Sequence, residues 1–206
     1  MNAPKPAVPA VLETSAIGEA FEGGFFANRI RIGANEFALI VAPKGAGETT
    51  MAWGIRGKDI EVARSCFDGM ANTKAMAEAG SELAKWALSL DIGGHADWYI
   101  PSRDELEICY RNLKPTDQEN YCSFRDGDNA SSVPPGFLYT EQSPAQTTVS
   151  AFQVGNAEAF DSRWYWASTQ YSPDLAWDQH FYVGCQNTIL KGNELRARAV
   201  RRVLIL

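Results

Sequence analysis

Two segments restrict the fold of this 206-residue chain more than any others: residues 97–106 (DWYIPSRDEL) and residues 164–184 (WYWASTQYSPDLAWDQHFYVG). In the first, Pro101 holds the chain extended as it arrives. Ser102 is followed three residues later by Glu105, which is the pattern of a capping box. The Ser hydroxyl accepts from the Glu105 backbone N–H, and the Glu carboxylate accepts from the Ser102 N–H. Leu106, Cys109, Tyr110 and Leu113 then recur at helical spacing and give the helix one apolar face, and it stops near Pro115. Because the box accounts for Ser102 and Glu105 structurally, neither is assigned to catalysis. In the second segment, residues 164–168 and 177–183 read as strands joined by the turn Tyr171-Ser172-Pro173-Asp174. Trp164, Trp166 and Ser168 share one face, and Tyr165 and Ala167 share the other.

The rest of the chain fits around these segments. Residues 1–24 are rich in Pro and Ala, with Pro4, Pro6 and Pro9 favouring an extended arm. Residues 25–32 and 37–42 read as a β-hairpin turned by residues 33–36 (GANE), with a further short strand at 50–54. A helix capped by Asn72 or Thr73 is expected to run to about Leu90, its apolar stripe formed by Met76, Ala79, Leu83, Trp86, Ala87 and Leu90. Gly93-Gly94 ends that segment. Residues 114–159 carry turn signals but no strong periodicity, and loops of this length in a compact domain are often functional. A turn at Gln186-Asn187 or Gly192-Asn193 leads to a final strand over about 195–205. Within it Arg196, Arg198, Arg201 and Arg202 read as the polar face.

Composition closes off several chemistries. A net charge of −6 argues against a nucleic-acid binder or an anionic-membrane binder, since both need a basic field. No window is long and apolar enough to insert into a bilayer, and the N-terminal sequence lacks the pattern of a secretory signal. Cys66, Cys109, Cys122 and Cys185 have no metal-site spacing, so no zinc site is expected, and the thiols are expected to be free in a reducing cytosol. Residues 126–129 (DGDN) do not fit a calcium loop and read as a solvated turn. No nucleophile elbow accompanies His95 or His180. The expectation is a protein without a cofactor, a metal or a catalytic site.

The two segments, with residues 196–202 (RARAVRR), resemble the signature of the DUF1566 family. Trp98, Pro101, Ser102, Glu105 and Leu106 match its W-[RY]-[LI]-P-[ST]-x-x-E-L stretch. Tyr165, Trp166, Ser168, Thr169, Ala176, Trp177, Phe181 and Gly184 match its later aromatic pattern, and Val200-Arg201 matches its end. Tyr99 stands where Arg is commoner. The resemblance implies an α+β, C-type-lectin-like fold over residues 25–206. That fold would comprise two helices, a small antiparallel sheet and long loops. A hairpin region at 25–55 would precede the matching region at 72–206, and the arm at 1–24 would precede both. It further implies an adhesin: a phage virion protein of a tail tip, fibre or baseplate that binds a host-surface glycan or protein receptor. Its other partners would be virion tail proteins and copies of itself, as a homo-oligomer with a trimer favoured. The alternative is an assembly or decoration module of the virion without receptor binding. Candidate contact residues are Tyr139, Trp164, Tyr171, Asp174 and Trp177, aromatic rings being suited to sugars and protein surfaces alike.

Overall fold

The computed structural model describes residues 15–123 and 125–205. In chain order the elements are β1 (Ala20–Phe21), β2 (Gly24–Ile32), β3 (Asn35–Val41), α1 (Lys44–Gly47), β4 (Glu48–Ala52), α2 (Gly69–Glu78), α3 (Glu82–Leu88) and α4 (Arg103–Leu113). After these come β5 (Ser132–Val133), β6 (Trp164–Gln170), β7 (Leu175–His180), β8 (Gln186–Leu190), β9 (Glu194–Arg198) and β10 (Val200–Leu204). They form two sheets. One runs β1-β2-β3-β10, with β5 added to β2; the other runs β4-β9-β6-β7-β8. The pairings are antiparallel except that of β6 with β9. The α+β expectation holds, with more helices and more sheet than expected.

The hairpin forms as expected, with Ile32 paired to Asn35 across Gly33 and Ala34. It is an integral part of the domain, because β3 also pairs with the C-terminal strand β10. The Pro-rich residues 1–14 of the expected arm lie outside the described residues. Of the remainder, Ala20 and Phe21 pair with β2, and Ile17 packs against the core.

Two expected elements are each divided in two. The helix expected over 72–90 is α2 and α3, separated at Gly80, which takes a φ of +97° that ordinary residues avoid. Ser81 then caps α3 by accepting from the Ala84 N–H, and its hydroxyl donates to the Trp53 carbonyl at 2.5 Å. The cap of α2 is Asp68, not Asn72 or Thr73, and both of those are buried. The final strand is β9 plus β10, and it changes sheet at Ala199. There the Ala199 N–H donates to the Gly47 carbonyl at 2.8 Å, and the Ala199 carbonyl accepts from Ala42 at 3.0 Å. The chain between β3 and β4 crosses from one sheet to the other beside it.

Three of the four arginines of this last segment, Arg198, Arg201 and Arg202, are largely covered, contrary to the polar-face expectation, while Arg196 stays partly exposed. The Arg198 side chain is fully buried, 4.8 Å from the Phe160 ring centre, and pairs with Glu158 at 2.6 Å. Arg196 pairs with Glu48 and Asp161, Arg201 with Asp97, and Arg202 with Asp68. Of the two turns offered before the final strand, Gly192-Asn193 is the one that forms; Gln186-Asn187 instead opens the edge strand β8, which pairs along β7 from Gln179↔Gln186 to Leu175↔Leu190.

The three sequence pieces that carry the resemblance meet one another. The capping box is present, with Ser102 N–H to Glu105 Oε2 at 2.7 Å. Ser168 donates its backbone N–H to the Pro101 carbonyl at 2.7 Å, and the Thr169 hydroxyl accepts from the Arg103 N–H at 3.0 Å. Tyr99 and Val200 exchange two backbone bonds at 2.9 Å. Leu106, Cys109, Tyr110 and Leu113 then pack on Leu39, Val41, Tyr165 and Phe181 to form the main core. A second core gathers Trp53, Met76, Leu83, Ile100 and Trp166. Gly184, just past β7, has a φ of +79°, and a Cβ there would lie 2.3 Å from the Tyr110 ring. Only glycine fits both demands.

Candidate functional site

The long connection after α4 is held by side chains of α4 and of Lys114, the residue that ends it. Asp104, Glu107, Tyr110 and Lys114 are all buried. The Lys114 ammonium donates to the Gln118 carbonyl at 2.5 Å and to the Pro144 carbonyl at 3.2 Å. The Asn120 amide donates to the carbonyls of Thr140 and Pro144 and accepts from the Tyr110 hydroxyl at 2.7 Å. Asn129 donates to Glu107 at 2.7 Å, and Arg111 donates to the carbonyls of Gly127 and Phe137. Loop carbonyls thus find donors on α4 rather than in water. Residues 126–129 are not the expected solvated turn, since Asp126 and Asn129 are both buried. One expected result follows. Lys114→Met leaves the Gln118 carbonyl without its donor and the Pro144 carbonyl with Asn120 alone, at a cost of about 1–3 kcal/mol. Hydrogen exchange over residues 116–120 and 140–146 quickens while exchange in β2 and β3 is unchanged. Equal exchange in both variants would show that Lys114 does not hold the loop.

Beside this loop, the β7–β8 pair carries an aromatic and polar assembly. Trp177 lies under the Arg103 guanidinium at 5.3 Å, and Tyr171 meets the Trp177 ring edge-on at 5.8 Å. Arg103 is itself buried, donating to Gln186 Oε1 at 2.8 Å and to Asp104 Oδ1 at 3.1 Å. The Gln186 backbone N–H continues the chain of bonds to Asp126 Oδ1 at 3.0 Å. Burial pushes the Asp126 carboxyl up, against the pull of the Gln186 and Ser123 backbone and of Arg103. Among the described residues Arg103 Nε, Arg125 Nε, Asp126 Oδ2 and Gln179 Oε1 are buried without a hydrogen-bond partner. Gln179 belongs to the same region, as it donates to the Tyr139 hydroxyl at 3.2 Å and pairs with Gln186 across the strands. Unpaired buried polar atoms are rare enough that four within one network mark it out.

Large apolar side chains stand exposed on the surrounding loops. Tyr121 is 57 % exposed, Phe137 79 %, Leu138 57 % and Tyr171 53 %, with Tyr182 partly so. Tyr121 and Tyr182 are neighbours through the bond from the Tyr121 N–H to the Val183 carbonyl at 2.8 Å.

Of the residues expected from sequence, Tyr171, Asp174 and Trp177 come together; Asp174 is half exposed and paired with Arg56 at 2.9 Å. Tyr139 does not join them as a surface contact. It is 5 % exposed and donates its hydroxyl to Glu107 at 2.9 Å, so it belongs to the core. Trp164 stands apart, its ring 4.7 Å from His180, where it lines a cavity of about 280 Å³ with Arg163, Leu195 and Arg196. Sequence reasoning missed Arg103, Asp126, Tyr121, Phe137, Leu138 and Tyr182. The one usable signal was Phe137-Leu138, an apolar pair directly after Pro134-Pro135-Gly136 in a turn-rich stretch.

Among the described residues no group of three or more His, Cys, Asp or Glu is placed to hold a metal ion, and no helix is long and apolar enough to cross a membrane. No family model matches the chain, and no curated protein matches it. Among solved structures it is similar to a fimbrial protein from Bacteroides ovatus ATCC 8483, with a TM-score of 0.43 and 12% sequence identity. The match covers 79% of this chain and 35% of that one, and the likeness is too distant to bear on function.

Proposed function

We propose that this chain is a non-enzymatic recognition domain of C-type-lectin-like build that binds a host-surface glycan or protein through its long-loop side. The observation that carries the reading is the set of exposed rings and aliphatic side chains, Tyr121, Phe137, Leu138 and Tyr171, on loops tied down by buried polar bonds. Exposed apolar side chains on a rigid frame lose little entropy on contact and are the usual material of a binding surface. The matched motif residues support the scaffold half of the reading, because they bond to one another rather than to solvent. A phage tail tip, fibre or baseplate is the setting that the sequence resemblance suggests. There, weak sites would gain avidity from several copies on one particle.

The reading is tested by presenting the intact chain as a multimer to candidate host bacteria. Tyr171→Ala and the pair Phe137→Ala/Leu138→Ala change exposed side chains and leave the folded domain intact. At least one is expected to weaken binding about thirtyfold, the effect of losing about 2 kcal/mol at a hot spot. If neither weakens saturable binding, the surface used is another. If the multimer shows no saturable binding at all, the assembly-module alternative takes the place of receptor recognition.

A further inference from the structure

A second cleft lies on the β4 side of the molecule. β6 and β9 pair in parallel at one position, Tyr165↔Arg196. At the starting ends of these two strands Thr50, Arg163, Trp164, Glu194, Leu195 and Arg196 line a cavity of about 280 Å³. An adjoining cavity of about 310 Å³ shares Thr50 and Glu194 with the first and continues past Met51 to the exposed Ile55. Among the described residues none of 114–159 borders either one. β4 runs along both and is the outer strand of its sheet, so the cleft has an open flank. Together the two have the size of a ligand cleft, roughly 300–1,000 Å³.

Two charges in the first cavity are unanswered. Among the described residues Arg163 is the one arginine that makes no ion pair. The Glu194 carboxylate makes none there either, although both residues line the same cavity. Arg196, by contrast, is taken up by Glu48 and Asp161. The backbone keeps the two apart. The Arg163 N–H donates to the Asp161 carbonyl at 2.7 Å, and its carbonyl accepts from Phe181 at 2.9 Å. Glu194 is fixed opposite Ala52, and Thr50 opposite Arg196, in the β4–β9 ladder. Trp164 is half-buried, its ring centre 4.7 Å from that of His180.

This arrangement selects for a class of ligand. A lone anion is drawn by Arg163 but opposed by Glu194, and a lone cation meets the reverse. What remains is a fork of N–H donors, a pair of acceptor oxygens and the exposed Thr50 hydroxyl around an indole ring. Neighbouring hydroxyls on a sugar answer the donors and the acceptors alike, and the C–H face of a pyranose is apolar surface for the indole. We propose that this cleft binds a neutral glycan. One pyranose packs on Trp164 and hydrogen-bonds Arg163 and Glu194, and the next sugar lies along β4 towards Ile55. The site is separate from the loop-side surface, and the proposal does not depend on that reading.

The test screens the intact chain, displayed as a multimer, on an array of neutral, acidic and amino oligosaccharides. Titration calorimetry with the best neutral oligosaccharide in free form then gives the dissociation constant. Arg163→Met and Glu194→Gln change exposed side chains and leave the fold intact. Each is expected to weaken binding about tenfold, the loss of one hydrogen bond to a charged group. Trp164→Ala is expected to weaken it at least as much; should it fail to fold, the two exposed variants decide. Tyr171→Ala leaves this affinity unchanged, whatever it does to cell binding. A silent array, or one that answers to acidic or amino glycans alone, overturns the proposal. So does a neutral glycan whose affinity neither Arg163→Met nor Glu194→Gln lowers. The zwitterionic dipeptide Gly-Leu matches the same two charges without a sugar ring. If it binds more tightly than every glycan and loses affinity in the same variants, the cleft belongs to a peptide and the proposal falls.

Discussion

Asp178→Asn is expected to stabilise the protein at pH 8 and to remove the fall in stability that Asp178 itself contributes between pH 4 and 7. Asp178 sits within β7, paired with Trp166 on one side and Asn187 on the other, and is 3 % exposed. Its Oδ1 is buried with no hydrogen-bond partner. Burial pushes its carboxyl up to about 7, opposed only by its own backbone N–H. The direction follows from proton counting. Between about pH 4 and 7 the native chain keeps a proton that the unfolded chain has released, so stability falls as pH rises across that window. Above 7 both states are ionised and the full cost of the buried charge is present. A shift of about three pKa units corresponds to about 4 kcal/mol. Asparagine keeps the shape without the charge but brings N–H donors that need partners, so the net gain at pH 8 is on the order of 2–4 kcal/mol. Urea unfolding of both proteins at pH 4 and pH 8 measures it. Parallel pH dependences in the two would mean that Asp178 ionises freely in the native state.

The second large effect is expected at Arg198, where β9 hands over to β10. Its guanidinium donates to the Ala42 carbonyl at 2.9 Å and to the Glu158 carbonyl and carboxylate, each at 2.6 Å. It lies between Phe152 and Phe160, 5.5 and 4.8 Å from their ring centres. Burial lowers its pKa, and Glu48 and Glu158 raise it again. Arg198→Met fills the space but leaves two carbonyls without this donor and a largely buried carboxylate without its counter-charge. Breaking a buried pair costs about 3–5 kcal/mol, and the lower end applies because Glu158 keeps some water and its bond from the Lys44 N–H. Adding Glu158→Gln to Arg198→Met is expected to recover part of that loss, since the stranded charge is then gone. Denaturation midpoints of the single and double variants test this. A loss below about 1 kcal/mol in the single variant would show that the sheet crossing does not depend on the pair.

What could be read from the chain differs from element to element for physical reasons. The capping box, the α4 stripe and the first hairpin are local: each is settled by residues within a few positions, and each stands where periodicity puts it. Gly80 is a helix breaker, but the apolar stripe continues in phase across it from Met76 to Leu83 and hides the break. The arginines of β9 and β10 were misread because alternation reports which residues share a face, not whether another element covers it. Glu158, Asp97 and Asp68, which cover them, are far away in sequence. The same limit hid the site. Asp104, Glu107 and Lys114 look like a solvated helix face until residues 120–144 fold over them. Tyr139 looks like a loop tyrosine until Glu107 takes its hydroxyl. Tyr171, Asp174 and Trp177 come together because a tight turn joins them, which is again local.

The most direct test of receptor recognition is competition. Under the proposed phage setting, purified chain added in excess as a multimer should block adsorption of a phage bearing this chain to its host in a saturable way. The Phe137→Ala/Leu138→Ala or the Tyr171→Ala variant should block less at the same concentration. Adsorption that proceeds at an unchanged rate under excess of the multimer would contradict the account.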